Sequence, residues 1–450
     1  MFRFPNYFVQ CERITGLTHI LNNPLCIQNQ SLIKSIMKKA IKSSIAACAI
    51  ASLTLTGFSA DWPQWRGIHR DGISPETGLL GSWDKAPELV WTFRDAGKGY
   101  SGPAIVDGVY YSLGTDNDTE VVFALSIKDG SRKWHTPVGD ILGNAWGDGP
   151  RATPTIVGDH VYAMSGKGHL YCLKAVDGSV VWKVSMTDDL GGKVPTWGYT
   201  ESVLHDNGHI LCTPGGDKGA IASLDAKTGK VLWQSHDFTD EAQYSSIVHA
   251  EIQGKKQYVQ RTMKSIVGID PENGDVLWKT DFPGRTAMIP TPIVTGNHVY
   301  VTGGYGTGCK LIEIKDDWSV NEIYYNRDMK NHHGGVVLVD GNAIFGYSDG
   351  VGWLMQDLKT GKEIWSEKGE LGKGAVTMAD GRFYCIAEDS GEVALLEVSR
   401  DGYKSRGSFT IDPKSSIRAS RGKIWTHPVI VDGRLYLRDQ DIVYCYKISR

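Results

Sequence analysis

One feature limits this chain more than any other: two landmarks recur along it in fixed order. The first is a glycine turn between two apolar runs, at Gly108, Gly158, Gly208, Gly254, Gly296, Gly341, Gly381 and Gly433. Ile105-Val106-Asp107-Gly108-Val109-Tyr110 and Val429-Ile430-Val431-Asp432-Gly433-Arg434-Leu435-Tyr436 typify it. Alternating β-branched and aromatic residues around Asp-Gly mark a hairpin, because glycine supplies the positive φ of the tight turn. The second landmark is G-x-x-x-W, at Gly130/Trp134, Gly178/Trp182, Gly229/Trp233, Gly274/Trp278 and Gly361/Trp365. With 53 Gly and 14 Trp in 450 residues, chance supplies about two such pairs, so five in register with the hairpins carry structure.

Each unit reads as four short strands in about 45 residues, the size of a propeller blade. One further unit lies between Trp278 and Trp365 with its Trp lost near Tyr324, and a degenerate copy follows Asp401-Gly402. Eight hairpins predict an all-β, eight-bladed β-propeller of four-stranded antiparallel blades over residues 86–450. The last hairpin is followed only by Ile442 to Ile448, too little for two more strands. The segment Glu88–Phe93 around Trp91 is therefore expected to complete the last blade, which removes open sheet edges. No helical periodicity of any length follows residue 60. The repeated Trp is expected to lock neighbouring blades, burying its ring while its N–H reaches a polar partner.

The N-terminal region reads differently. Met37 looks like an internal start: Lys38, Lys39 and Lys42 form a basic region, Ser43 to Phe58 an apolar stretch, and Gly57-Phe58-Ser59-Ala60 a small-residue exit. This pattern predicts a secretory signal peptide over 37–60, with 1–36 a mis-called upstream start. The apolar stretch is short for a membrane span, so no transmembrane segment is expected in the mature chain. Ile45-Ala46-Ala47-Cys48 resembles a lipoprotein box only loosely, and a lipid anchor at Cys48 is not expected. The expected location is periplasmic or secreted. Residues 61–85 form a Trp-rich leader whose Trp62, Trp65 and Trp83 are expected to pack over the propeller surface rather than stack on carbohydrate.

Beyond residue 60 the chain has 42 basic against 50 acidic residues, so a nucleic-acid-binding surface is not expected. Cys172, Cys212, Cys309, Cys385 and Cys445 are odd in number and lack C-x-x-C spacing; four of them sit in apolar strand-like runs, as buried inert thiols do. No G-x-S-x-G, phosphate loop or H-E-x-x-H occurs. Asp116-Asn117-Asp118-Thr119-Glu120 reads as a solvated turn rather than a calcium loop.

The segment Leu224-Asp225-Ala226-Lys227-Thr228-Gly229-Lys230-Val231-Leu232-Trp233 resembles the signature of pyrroloquinoline-quinone (PQQ) repeats, echoed at Ile269–Gly274 and Asp357–Gly361. The resemblance covers roughly residues 61–450. Proteins with this repeat include quinoprotein alcohol dehydrogenases and the propeller lipoprotein of the outer-membrane assembly machinery. The leader Asp61–Gly67, Trp197–Ser202 and Asn331–Gly335 look like a secreted bacterial branch of the family. The repeat specifies the fold and says little about function.

Residues just upstream of each blade's first strand should converge on one mouth of the central channel. Counting back from the turn glycines gives Ser101, Arg151, Glu201, Tyr244 to Ser246, Ile289, His332, His333, Lys373, Trp425 and His427. The ligand-binding candidates among them are Arg151, Glu201, Ser245, His332, His333, Lys373, Trp425 and His427, with Trp197 a candidate to stack on a cofactor. The leading expectation is a non-catalytic binding or assembly scaffold with a polar central mouth, recognising an envelope protein or a saccharide. The alternative is a PQQ- and calcium-dependent alcohol dehydrogenase. The resemblance would then give Arg151 and Lys373 the cofactor's carboxylates, Trp425 or Trp197 its plane, and Glu201 the calcium. Against that reading, the adjacent-cysteine disulfide of those dehydrogenases is missing. A metal site built from His332, His333, His427 and Glu201 is a third, weaker expectation.

Overall fold

The computed structural model describes residues 61–450; the expected upstream start, signal peptide and Cys48 box lie outside the described residues. Eight sheets, each with four antiparallel blade strands, follow one another along the chain, and no helix occurs among the described residues. Blade 1 is Ala104–Val106, Val109–Asp116, Thr119–Ser126 and Arg132–Asp140. Blades 2 to 8 begin with the innermost strands Thr155–Val157, Leu204–Asp206, Val248–Ile252, Ile293–Thr295, Val336–Val339, Gly374–Ala379 and Val429–Val431. The expected closure is present: Glu88–Phe93 pairs antiparallel with Ile442–Lys447 as the outer strand of blade 8. Strands from near both ends of the described residues thus share one blade, which closes the ring. At the turn of blade 1, Asp107 and Gly108 both take positive φ, 50° and 74°, the conformation of the two-residue hairpins that match strand twist.

The G-x-x-x-W pattern has a physical reading across blades rather than within one. Trp134 donates its indole N–H to the Ala175 carbonyl, Trp182 to Ala226 and Trp233 to Pro271, each in the following blade. The glycine of that following blade lies beneath the ring: a Cβ on Gly229, at φ 71°, would sit 2.8 Å from Trp182. Each glycine is therefore needed for the preceding blade's Trp as well as for its own turn. Tyr324 stands in for the lost Trp, donating to the Leu358 carbonyl over Gly361. Trp278 is the exception and donates to Gln257 in its own blade. In the following turn Trp318, at φ 65°, has replaced the glycine, so no bare backbone is left for the Trp278 ring to cover.

The leader departs from expectation over residues 62–74, which enter the channel instead of lying on the surface. It meets the inner face of every blade. Trp62 exchanges two backbone hydrogen bonds with Ile105 of blade 1, and the Pro63 carbonyl accepts from Ile156 of blade 2. Arg70 donates to the carbonyls of Ser202 and Val203 at blade 3 and of Ile247 at blade 4. The Trp65 indole donates to Thr291 at blade 5, and Arg66 donates to the Val336 carbonyl of blade 6. Ile73–Ser74 adds as a parallel strand to blade 7, and the Ser74 hydroxyl donates to Ile430 of blade 8. Trp83 packs against Tyr384 and Phe409. All five cysteines of the described residues are buried thiols, and Asp116-Asn117-Asp118-Thr119 is a hairpin turn between paired strands.

Candidate functional site

Above the leader, at the end where the innermost strands begin, the channel opens as a cavity of about 450 Å³. That volume lies within the range of small-ligand sites. Its floor includes Trp65, whose ring lies 4.7 Å from that of His427. Its wall is mainly aromatic: Tyr100, Trp146, Trp197, Tyr244, Tyr305 and Trp425 all face it. Neighbouring rings meet steeply, Trp146 and Trp197 at 76° and Trp197 and Tyr244 at 70°. The connections between blades, free of ladder hydrogen bonding, carry most of these rings to the axis.

Of the residues the sequence nominates, Arg151, Trp197, His332, His333, Trp425 and His427 line this cavity, whereas Glu201, Ser245 and Lys373 do not. Arg151 is fixed by donating to the Gly147 and Gly149 carbonyls, with its guanidinium 5.1 Å from the centre of the Tyr100 ring. It is the only formally charged side chain on the lining among the described residues, and no carboxylate joins it. Ser245 donates instead to the Pro290 carbonyl, leaving its neighbour Ser246 on the wall.

Glu201 lies deeper and is fully engaged. Its carboxylate accepts from the Thr213 N–H at 2.6 Å, the Thr213 hydroxyl at 3.0 Å and the Gln260 amide at 3.3 Å. Burial pushes its pKa up to about 7, against the opposing pull of the Thr213 bonds and the Arg70 charge. Lys373 lies off the lining and is partly exposed; it bonds Asp349 at 2.7 Å and His332 Nδ1 at 2.9 Å. His332 Nε2 in turn bonds the Tyr305 hydroxyl at 2.9 Å. Burial and the nearby Lys373 charge push the His332 pKa down to about 4. Burial, reinforced by Arg66, takes His427 to about 3, so both rings are neutral at pH 7.

Tyr100, Trp146 and Tyr305 join the cavity although they are not among the residues nominated above, and Trp65 lies on its floor rather than on the propeller surface. Tyr100 sits one residue before Ser101, in the segment just upstream of a first strand. Trp146 and Tyr305 belong to a long interblade connection and a blade hairpin, whose distance from the axis the repeat does not specify. Among the described residues no group of three or more His, Cys, Asp or Glu side chains is placed to hold a metal ion.

The geometry defines a plugged eight-bladed propeller with one aromatic cavity at its mouth. Residues 138–367 match the family described as outer membrane protein assembly factor BamB, a PQQ-repeat family, and the chain belongs to that family. BamB from Moraxella catarrhalis superposes with a TM-score of 0.56 at 16% identity, covering 81% of this chain and 98% of that one. Quinohemoprotein alcohol dehydrogenase from Comamonas testosteroni gives 0.57 at 13% identity, covering 86% and 80%. Both likenesses are at the level of the fold. An uncharacterized protein of Rickettsia conorii is 26% identical over 134 residues, which are 29% of this chain and 30% of that relative.

Proposed function

We propose that the protein is a non-catalytic binding scaffold of the cell envelope whose aromatic mouth is the recognition site. The observation that carries this reading is the cavity wall: six aromatic side chains and one fixed cation, with no carboxylate on the lining, Glu388 behind it being engaged by the Trp425 indole N–H at 3.0 Å. Such a surface offers apolar contact and hydrogen-bond donors, which suits recognition better than proton transfer. Membership of the BamB family supports an envelope location and an assembly role. No helix of the described residues is long and apolar enough to cross a membrane.

The dehydrogenase reading draws on the likeness in fold to the quinohemoprotein enzyme. The residues present do not fit PQQ with calcium. A calcium ion needs several oxygen ligands, yet Glu201 spends its carboxylate on Thr213 and Gln260 behind the wall. Trp197 meets Trp146 at 76° and Tyr244 at 70°, so these neighbouring rings form no parallel pair that could sandwich a flat cofactor.

The test joins two measurements on the purified protein. Envelope-derived peptides and saccharides are titrated against tryptophan fluorescence, and dye-linked alcohol oxidation is assayed after incubation with PQQ and calcium. The expected result is saturable quenching by at least one envelope ligand, lost in Trp197→Ala, with no turnover. Alcohol oxidation dependent on PQQ and calcium would overturn the scaffold reading.

A further inference from the structure

From Asp349 to the cavity wall at Tyr305 runs a chain of polar groups whose hydrogen-bond directions are forced. An ammonium has no lone pair, so Lys373 must donate both to Asp349 and to His332 Nδ1. Nδ1 is then the acceptor nitrogen, and the proton of the neutral ring sits on Nε2. That N–H donates to the Tyr305 oxygen, 2.9 Å away. The remaining hydrogen of Tyr305 is left for a partner outside the chain of bonds, and Tyr305, 40% exposed, lies on the cavity wall. Three residues thus hold one hydroxyl as a donor facing the cavity.

The rest of the lining has matching chemistry. Arg151, three blades away around the ring, adds a donor that carries positive charge; the carboxylates that act on it, Glu120 and Asp148, lie off the lining. A ligand for this cavity therefore carries negative charge and an acceptor oxygen, while a cationic ligand would meet Arg151 unfavourably. The steep angles between neighbouring rings suit a puckered ring with C–H groups on its faces better than a flat polycycle.

We infer that the mouth binds an acidic saccharide, with Arg151 facing its carboxylate and Tyr305, held by Asp349, Lys373 and His332, donating to a sugar oxygen. This rests on the reading of the mouth as a binding site. Lys373 and His332 are positioning residues in this scheme, acting only through Tyr305.

The probes are oligogalacturonate, its methyl ester and 2-naphthoate, titrated calorimetrically. Oligogalacturonate should bind about tenfold or more tightly than the ester, the difference of a hydrogen-bonded charge. Tyr305→Phe and Lys373→Met should each weaken it about threefold to tenfold, as loss of a neutral hydrogen bond does. Lys373→Met should cost nothing further on the Tyr305→Phe background, an outcome that a merely structural lysine would not give. Equal binding of acid and ester, binding of naphthoate alone, no binding of any probe, or additive losses in the double variant would each overturn the inference. The scaffold reading survives those failures if another envelope ligand quenches the native protein and not Trp197→Ala. It falls separately, on quinone-dependent turnover.

Discussion

The two ends of the central channel obey opposite rules. At the plugged end most polar groups of the leader find partners, Arg66 Nη1 being an exception: Arg70 alone donates to three carbonyls on two blades, and Arg66 bonds Asp71 within the leader and Val336 of blade 6. At the open end, the Tyr305 hydroxyl and the Arg151 guanidinium face a cavity walled by rings. Buried polar groups are costly unless paired, so the paired end is where the ring gains stability. Donors turned toward a cavity add little to the fold and are available to a ligand. The contrast separates residues that close the propeller from residues that can recognise something.

The strongest way to break the contrast is Arg70→Met. It strands three buried carbonyls and removes the cation that Glu201 feels, so a loss of about 3–5 kcal/mol is expected in urea denaturation. A loss below about 1 kcal/mol would show that the leader is not what holds the inner strands.

A second variant sharpens the account of the plugged end through pH. Burial raises the Glu201 pKa from 4.5 to about 7 on folding. The folded state holds this proton more tightly, so the stabilisation is fully present below about pH 4.5 and lost as pH rises through about 7. Relative to native protein, Glu201→Gln should therefore gain stability as pH rises across that window, on the order of 3 kcal/mol. A difference between the two proteins that stays flat from pH 4 to 8 would contradict the burial argument. At the open end the smallest effect is expected: Trp197→Ala should change stability by under about 1 kcal/mol in the same urea measurement, since its ring faces the cavity.

The blade count, the strand count and the closing strand at Glu88–Phe93 were legible from the repeat, because each depends on local turn chemistry and on conserving one unit length. The position of the lost Trp near Tyr324 was legible for the same reason, whereas the takeover of its cross-blade hydrogen bond by the Tyr324 hydroxyl was not. The reorientation of Trp278 was not, because it depends on a residue of the next blade, Trp318, across which the packing is shared. Placement of the mouth was legible for Arg151, His332, His333, Trp425 and His427, since upstream position in a blade translates directly into nearness to the axis. Which way each side chain turned from there was not.

By itself, then, the sequence determined a ring of eight blades and the approximate latitude of its mouth, since periodic turns and alternating strands leave little else for such a chain to form. Only the tertiary structure decided that the leader fills the channel, that Glu201 and Lys373 turn away into hydrogen-bond networks, and that Trp65, Trp146 and Tyr305 build the cavity. Those outcomes depend on which polar groups find partners between segments far apart in the chain. Periodicity carries no information about such pairings, which exist only once the ring has closed.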